Sequence, residues 1–172
     1  MSLSLYDISA PLFLSGLQTL SVLLDKALAS GVPESELLEA RLAPDMLPLL
    51  KQVQLASDTS KGAVARLAGV ENPSMADTEA TFAELKDRLA RTIAFIESVD
   101  PAKFEGGVDR DVTVSLPTYD LKWKGADYLR QFALPNFYFH VTVLYAILRN
   151  KGVVIGKRDY LAIDPSAVHP KT

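Results

Sequence analysis

Four stretches of the chain repeat apolar residues at intervals of three and four positions, which is the spacing of one face of an α-helix. In chain order they cover about residues 9–29, 43–67, 77–99 and 127–149. A helix of this length is marginal in water by itself, so its apolar stripe has to pack against another element. The pattern therefore predicts an all-α fold, a four-helix bundle that forms a single domain over residues 1–172.

Prolines and capping residues mark where these helices begin and are interrupted. Pro44 and Pro48 are tolerated only in the opening turn of the second helix, because proline lacks the N–H that an inner turn needs. Asp77 or Thr78 is the predicted N-cap of the third helix. Pro135 lies inside the fourth helix, where it removes one backbone hydrogen bond, and we expect a kink or a split there.

Between the third and fourth helices the apolar period changes from helical to alternating, which is typical of β-strands. The alternating residues are Val112, Val114 and Leu116 before the Pro117-Thr118 step, and Tyr119, Leu121 and Trp123 after it. This predicts a short β-hairpin-like excursion from the bundle. We expect a single helical turn within residues 33–41. We expect residues 154–161 to pack back on the bundle.

Composition narrows the classes of function. The chain has 172 residues and no cysteine, which excludes disulfide scaffolds, thiolate zinc sites, iron–sulfur clusters and cysteine nucleophiles. The chain has 18 Lys and Arg against 21 Asp and Glu, and this slightly negative charge disfavours binding to the phosphate backbone of a nucleic acid. We therefore expect no nucleic-acid partner. The N-terminal segment lacks a basic region and polar residues interrupt it, so we expect no membrane anchor and a cytoplasmic location.

One histidine, His140, falls on the apolar face of the fourth helix. Its neighbours on a helical wheel, at about 100° per residue, are Asn136, Phe137, Val143, Leu144 and Ile147. On the second helix, Asp45 and Gln52 lie beside the apolar stripe and are the predicted interior polar groups. We therefore expect Asp45, Gln52, Asn136 and His140 to lie near one another in the bundle.

Two interpretations of His140 remain open from the residues alone. In the first, it is a core histidine hydrogen-bonded by Asp45, Gln52, Asn136 or a tyrosine hydroxyl, because an unpaired buried imidazole costs about 1–3 kcal/mol. In the second, it is a metal ligand or a general base in a pocket, since imidazole is a common ligand that titrates near neutral pH.

The second interpretation needs further ligands, because a catalytic metal normally has about three protein ligands. Val143 and Leu144 stand one turn after His140, where a paired histidine motif would continue. The other histidine, His169, lies three residues from the C-terminus and would have to fold back. The residues therefore favour no cofactor, with a divalent metal on His140 and Asp45 as the alternative.

Other patterns indicate structure more than chemistry. The chain has no glycine-rich phosphate loop, GxSxG elbow or HExxH helix. Tyr138 belongs to an aromatic group that either lines a ligand pocket or packs in the core, and aromatic rings dominate core burial generally. The charged run at residues 86–91 indicates the solvated face of the third helix.

Several local motifs together resemble a known family. They are LeuAlaProAspMet with a Gln seven residues after the Asp, ArgLeuAlaGly, ProAsnPheTyrPheHis, IleLeuArg and IleGlyLysArgAspTyrLeu. These segments resemble an uncharacterised domain-of-unknown-function family within the DinB/YfiT-like metalloenzyme superfamily. That resemblance covers nearly the whole chain and implies a four-helix bundle that is often dimeric. Better-known members bind a divalent metal through three histidines, and some transfer groups to or from low-molecular-weight thiols.

The metal ligands of that superfamily carry over only in part. His140 matches the first histidine of the paired motif on the last helix, whereas Leu144 occupies the position of the second. On the second helix, Asp45 or Gln52 stands in place of the remaining histidine. The resemblance thus implies the fold more strongly than it implies metal chemistry.

The sequence leads to the following expectations. The protein is a DinB-like bundle that lacks the three-histidine site and acts as a small-molecule-binding or interaction protein, expected as a homodimer through an apolar helix face. The alternative is a metal-dependent transferase or hydrolase with a non-standard site around His140. The ligand-binding candidates are His140, Asp45, Gln52, Asn136 and Tyr138.

Overall fold

A computed structural model describes residues 3–161 and 163. Its helices and strands, in chain order, are α1 (Ala10–Leu28), α2 (Glu34–Glu39), α3 (Leu49–Ala68), α4 (Phe82–Ser98), a 3₁₀ turn (Pro101–Phe104), β1 (Asp111–Ser115), β2 (Asp120–Lys124), α5 (Gly125–Tyr128), a π-helical turn (Leu129–Ala133), α6 (Leu134–Asn150) and α7 (Lys157–Leu161). The predicted all-α class, with a β-hairpin between the last two long helices, is confirmed.

The four long helices α1, α3, α4 and α6 surround one apolar core. α3 packs between α4 and α6, and α1 packs against the same two helices from the other side. The fully buried side chains come from all four helices and include Phe13, Leu20, Leu49, Val53, Leu85, Leu89, Phe137 and Leu144. Each amphipathic stripe is therefore covered by its neighbours. Within the described residues, no helix combines the length and apolarity that a membrane crossing requires.

α1 and α6 approach closely at Gly16. The Phe137 ring lies over this glycine, so that a Cβ atom at position 16 would fall 2.4 Å from the ring. Phe13 meets the same ring edge to face, with centroids 5.1 Å apart. The absence of a side chain at Gly16 thus creates the space that the aromatic pair fills.

α3 begins later than the sequence pattern predicts. The predicted start near residue 43 is wrong, since α3 begins at Leu49 and Pro48 is its N-cap with ψ 166°. Proline disfavours the helical conformation in the residue before it, and two prolines four positions apart keep the segment from Ala43 to Leu47 out of a helix. α4 also starts later, because Thr81 and Glu84 form its capping box in place of Asp77 or Thr78.

The interruption predicted at Pro135 takes the form of a π-helical turn just before it. The amide of Leu134 donates to the carbonyl of Leu129, five residues earlier. Pro135 follows directly and has no N–H to continue the five-residue pattern. The turn absorbs the proline, and α5, the π turn and α6 run on without an intervening loop.

The hairpin and the C-terminal helix pack on the outside of the bundle. β1 and β2 are antiparallel, with Val112 opposite Trp123 and Val114 opposite Leu121. α7 is held to the bundle by an ion pair of 2.7 Å between Asp159 and Lys26. The predicted return of residues 154–161 to the bundle is thus seen in α7.

The glycine contacts give a matched pair of stability predictions. Gly16→Ala is expected to destabilise the fold by about 1–3 kcal/mol, because its methyl group overlaps the buried Phe137 ring. Gly62→Ala, within α3, meets the flexible end of Arg66 and touches the Asn72 amide only at van der Waals distance, so it should stabilise by about 0.5–1 kcal/mol through helix propensity. Urea unfolding of both variants measures the difference, and equal effects would contradict the packing of α1 on α6.

Candidate functional site

His140 faces α3 from the middle of α6. Its side chain is buried, with 7% of the residue exposed, and its Nδ1 atom lies 2.8 Å from Oε1 of Gln52. Gln52 is in the first turn of α3 and is 2% exposed. The antiparallel packing of α3 and α6 thus joins these two polar side chains inside the bundle.

The Gln52 amide defines the proton position on His140. Its Nε2 donates to the carbonyl of Leu47 at 2.8 Å, and a carbonyl accepts hydrogen bonds but cannot donate them. Oε1 of Gln52 therefore faces the imidazole as an acceptor, and Nδ1 of His140 must carry the proton. The neutral ring then has its lone pair on Nε2.

Burial lowers the pKa of His140 below its ordinary value of 6.5. At neutral pH the ring is therefore uncharged, with a protonated Nδ1 and a basic Nε2. Within the described part of the chain, no group donates a hydrogen bond to Nε2. A nitrogen of this kind accepts a hydrogen bond from a ligand, takes a proton, or coordinates a metal ion.

Asn136 lies one turn before His140 on the same helix. Its Nδ2 donates to Oγ1 of Thr59 on α3, at 2.9 Å. The amide is thus beside His140 along the seam between α3 and α6, but its side-chain bond connects it to Thr59.

Two sequence candidates lie away from this seam. Asp45 is exposed in the turn before α3, so the predicted grouping of Asp45 with His140 in the interior is wrong. The physical reason is the pair of prolines that delays α3, because the wheel for Asp45 assumed a helix that starts before it. Tyr138 is on the opposite side of α6 from His140, where its hydroxyl donates to the carbonyl of Leu12 at 3.3 Å.

Tyr138 borders a small cavity of about 110 Å³ between α1, α6 and α7. Burial, followed by the neighbouring Tyr160, raises the pKa of Tyr138 above its ordinary value. Thr19 lies in the same wall and donates to the backbone carbonyl of Tyr160 at 3.3 Å. The phenol therefore stays neutral and acts as a hydrogen-bonding group.

The residues around His140 do not form a three-histidine metal site. Leu144, one turn further along α6, is fully buried in the core, and the Oε1 of Gln52 already accepts from the ring. Among the described residues, no three His, Asp or Glu side chains converge in a group able to hold a metal ion. His169 lies outside the described residues. The donors that the described residues supply therefore do not fit the metal that the resemblance to the superfamily implies.

Sequence reasoning missed a buried charge at Arg88. The prediction that residues 86–91 form a solvated face is wrong at this position, since Arg88 is 0% exposed. Its partners are Ser57 Oγ at 3.2 Å, Asp58 Oδ1 at 2.8 Å, the Ala76 carbonyl at 3.1 Å, Asp77 Oδ1 at 3.1 Å and Glu79 Oε1 at 3.0 Å. A helical wheel contains the missed signal, because Arg88 falls between Leu85 and Leu89 on the apolar stripe.

The surroundings of Arg88 indicate a structural role. Burial favours the acid form of Glu79, yet hydrogen bonds from Gln54 and Arg88 outweigh it and hold the pKa of Glu79 below its ordinary value. Lys61 and Lys51 pair with Asp58 and Asp77, so three cations balance three carboxylates. Within the described residues, Oε1 of Gln54 is the buried side-chain atom here that lacks a hydrogen-bond partner.

Comparisons with known proteins support the fold. A family model described as a domain of unknown function (DUF1993) matches residues 5–161. The crystal structure of a DinB family member from Shewanella denitrificans is similar to this chain, with 38% identity, a TM-score of 0.85 and 96% of each chain covered. No curated protein matches the chain.

The lowered pKa of His140 predicts how stability depends on pH. Well above pH 6.5, the ordinary pKa of the group, the imidazole is neutral in both the folded and unfolded states, so its contribution is complete. As the pH falls below that value the unfolded state binds the proton first, and the free energy of unfolding should decrease until the folded state is also protonated. Urea titrations of wild type and His140→Gln measure this difference, which should vanish if the folded pKa equals the ordinary one.

Gln52→Glu is the matched control for this experiment. A carboxylate at position 52 keeps an acceptor for Nδ1 of His140 but adds a negative charge, so the pKa of the imidazole should rise instead of fall. Nuclear magnetic resonance of the ring protons reads both pKa values directly. An unchanged pKa in Gln52→Glu would contradict the contact between the two side chains.

Proposed function

Because the chain belongs to the domain-of-unknown-function family DUF1993, we propose that it is a DinB-like small-molecule-binding protein centred on His140 and Gln52, without the three-histidine metal site. The observation that carries the proposal is the chain of hydrogen bonds from the Leu47 carbonyl through the Gln52 amide to Nδ1 of His140. Leu47 orients Gln52, Gln52 holds the Nδ1 proton, and Nε2 is left as an acceptor.

The form of the site restricts its ligand. Only 7% of His140 is exposed, so a ligand that reaches the ring contacts it with one small group. A hydroxyl or an N–H group fits, because each donates a hydrogen bond to a neutral imidazole nitrogen. Asn136 lies one turn away and is the next polar side chain along the seam. Tyr138 belongs to the separate cavity against α7 and is a second candidate for ligand contact.

We further propose that the protein works in the cytoplasm as a homodimer. Its slight excess of acidic residues, 21 against 18 basic ones, does not favour nucleic acid as a partner. An apolar surface beside α1 supplies a face for self-association and is considered in the next subsection.

A titration with phenol tests the binding proposal. Phenol is expected to shift the ¹⁵N resonance of His140 Nε2, because its hydroxyl donates to that nitrogen, whereas anisole has the same ring without a donor and should not. His140→Ala is the control that removes the acceptor. Equal responses to phenol and anisole, or a phenol response retained in His140→Ala, would sink the assignment of Nε2 as the ligand acceptor.

The alternative is a metal-dependent transferase or hydrolase around His140. Its supporting observation is the orientation of the ring, since metal-binding histidines also donate their second N–H to a neighbouring acceptor. One imidazole with Asp45 exposed in its turn is a weak donor set, so we expect no stoichiometric metal.

Elemental analysis of wild type and His140→Ala after incubation with Zn, Ni, Mn and Fe separates the two functions. We expect background metal in both proteins, because no three His, Asp or Glu side chains converge on a metal site in the part of the chain that the structure describes. Stoichiometric metal in wild type that is lost in His140→Ala would establish the alternative function.

A further inference from the structure

An open groove of about 490 Å³ lies between the start of α1 and the segment formed by α5, the π turn and α6. Its apolar lining includes Ile8, Leu12, Leu129 and Leu134, and Asp127 and Arg130 lie at its rim. The groove is on the side of α6 away from His140. It is thus a separate surface from the proposed ligand site.

The described residues cover the apolar wall of this groove only in part. Ile8 is 40% exposed and Leu12 is 39% exposed, whereas Leu129 is buried at the base. Apolar patches with polar rims are typical of protein interfaces, where burial removes the apolar surface from water.

The wall is also held in place before any partner binds. The hydroxyl of Tyr138 on α6 donates to the carbonyl of Leu12 at 3.3 Å and ties α1 to α6. The π turn and Pro135 restrict the backbone on the other side of the groove. A surface that is already ordered loses little conformational freedom on association.

The charges at the rim are complementary to a second copy of themselves. Asp127 and Arg130 form an ion pair of 2.7 Å one helical turn apart, and their side chains are 48% and 75% exposed. Such an exposed pair contributes little within one chain, so its charges are free to exchange partners. A two-fold axis between them would place Asp127 of each copy against Arg130 of the other.

We propose that this groove is the interface of a symmetric homodimer, in which Leu12 of each copy fills the groove of the other and Asp127 pairs with Arg130 across the axis. This rests on the homodimer in the proposed function and identifies its contact face. The charge exchange sets the register, and the apolar contact supplies the affinity.

Sedimentation equilibrium of the full chain tests the apolar contact. Wild type is expected to be dimeric, and Leu12→Glu should raise the dissociation constant by about tenfold or more, because it buries a carboxylate in an apolar contact. Val22→Glu is the matched control, since Val22 is on the same helix and is 44% exposed but lies outside the groove. Circular dichroism verifies that all three proteins are folded.

A charge exchange tests the two-fold axis. Asp127→Arg alone places four arginines around the axis and should weaken the dimer, whereas Asp127→Arg combined with Arg130→Asp should restore it, because opposite charges again face each other. A merely structural role of the ion pair predicts no effect on the dissociation constant in either variant.

The results distinguish this interface from the rest of the proposed function. A monomeric wild type would overturn both the homodimer and the groove contact. The phenol titration of His140 tests the ligand site independently of that result. If wild type, Leu12→Glu and Asp127→Arg are all dimeric with the same dissociation constant, this interface is overturned while the homodimer is retained.

Discussion

The guanidinium of Arg88 is a fully buried charge, and its neutralisation organises one side of the molecule. Removing an ion from water costs several kcal/mol unless charged and hydrogen-bonding partners replace the solvent. Asp58 supplies one such partner from α3, and Asp77 and Glu79 supply two more from the segment that precedes α4. Arg88 therefore ties that segment and α4 to α3, together with the contacts of Lys51 with Asp77 and of Gln54 with Glu79. With that face occupied, the opposite face of α3 is the one that meets α6.

His140 is a buried polar group of which one ring nitrogen, Nδ1, is hydrogen-bonded inside the bundle. Arg88 has partners in several directions and serves the structure, whereas His140 has an ordered partner at Nδ1 and, among the described residues, no hydrogen-bond donor at Nε2. The Leu47 carbonyl orients the Gln52 amide through one hydrogen bond, and the Gln52 amide orients the His140 ring through a second. A superfamily position associated with metal binding is thus combined with a neighbouring Leu144 that completes the core.

The bundle was predictable because its helices carry apolar stripes that cannot be buried singly, and the hairpin because its period changes between residues 112 and 123. Wheels also placed Gln52 and His140 inside, where the structure has them. Asp45 was misplaced because proline geometry overrides apolar spacing at a helix start. Arg88 was misassigned because its charge suggested solvent although its position on the wheel was apolar. The proton location on His140 depends on the carbonyl of Leu47, and no spacing rule relates that atom to the ring.

The π turn has a consequence for how the chain tolerates changes in length. A π-helical turn takes in about one residue more than an α-helical turn for nearly the same rotation, because each of its residues turns by less than the about 100° of an α-helix. The extra residue between Leu129 and Ala133 is therefore accommodated locally, and α5 and α6 run on as one continuous helical segment. Along the sequence, however, the surface with Asp127 and Arg130 is out of step with the His140 face by about one residue. A helical wheel drawn through both would misplace one of them, whereas loss of one residue in this turn would restore plain α-helix and keep both faces in place.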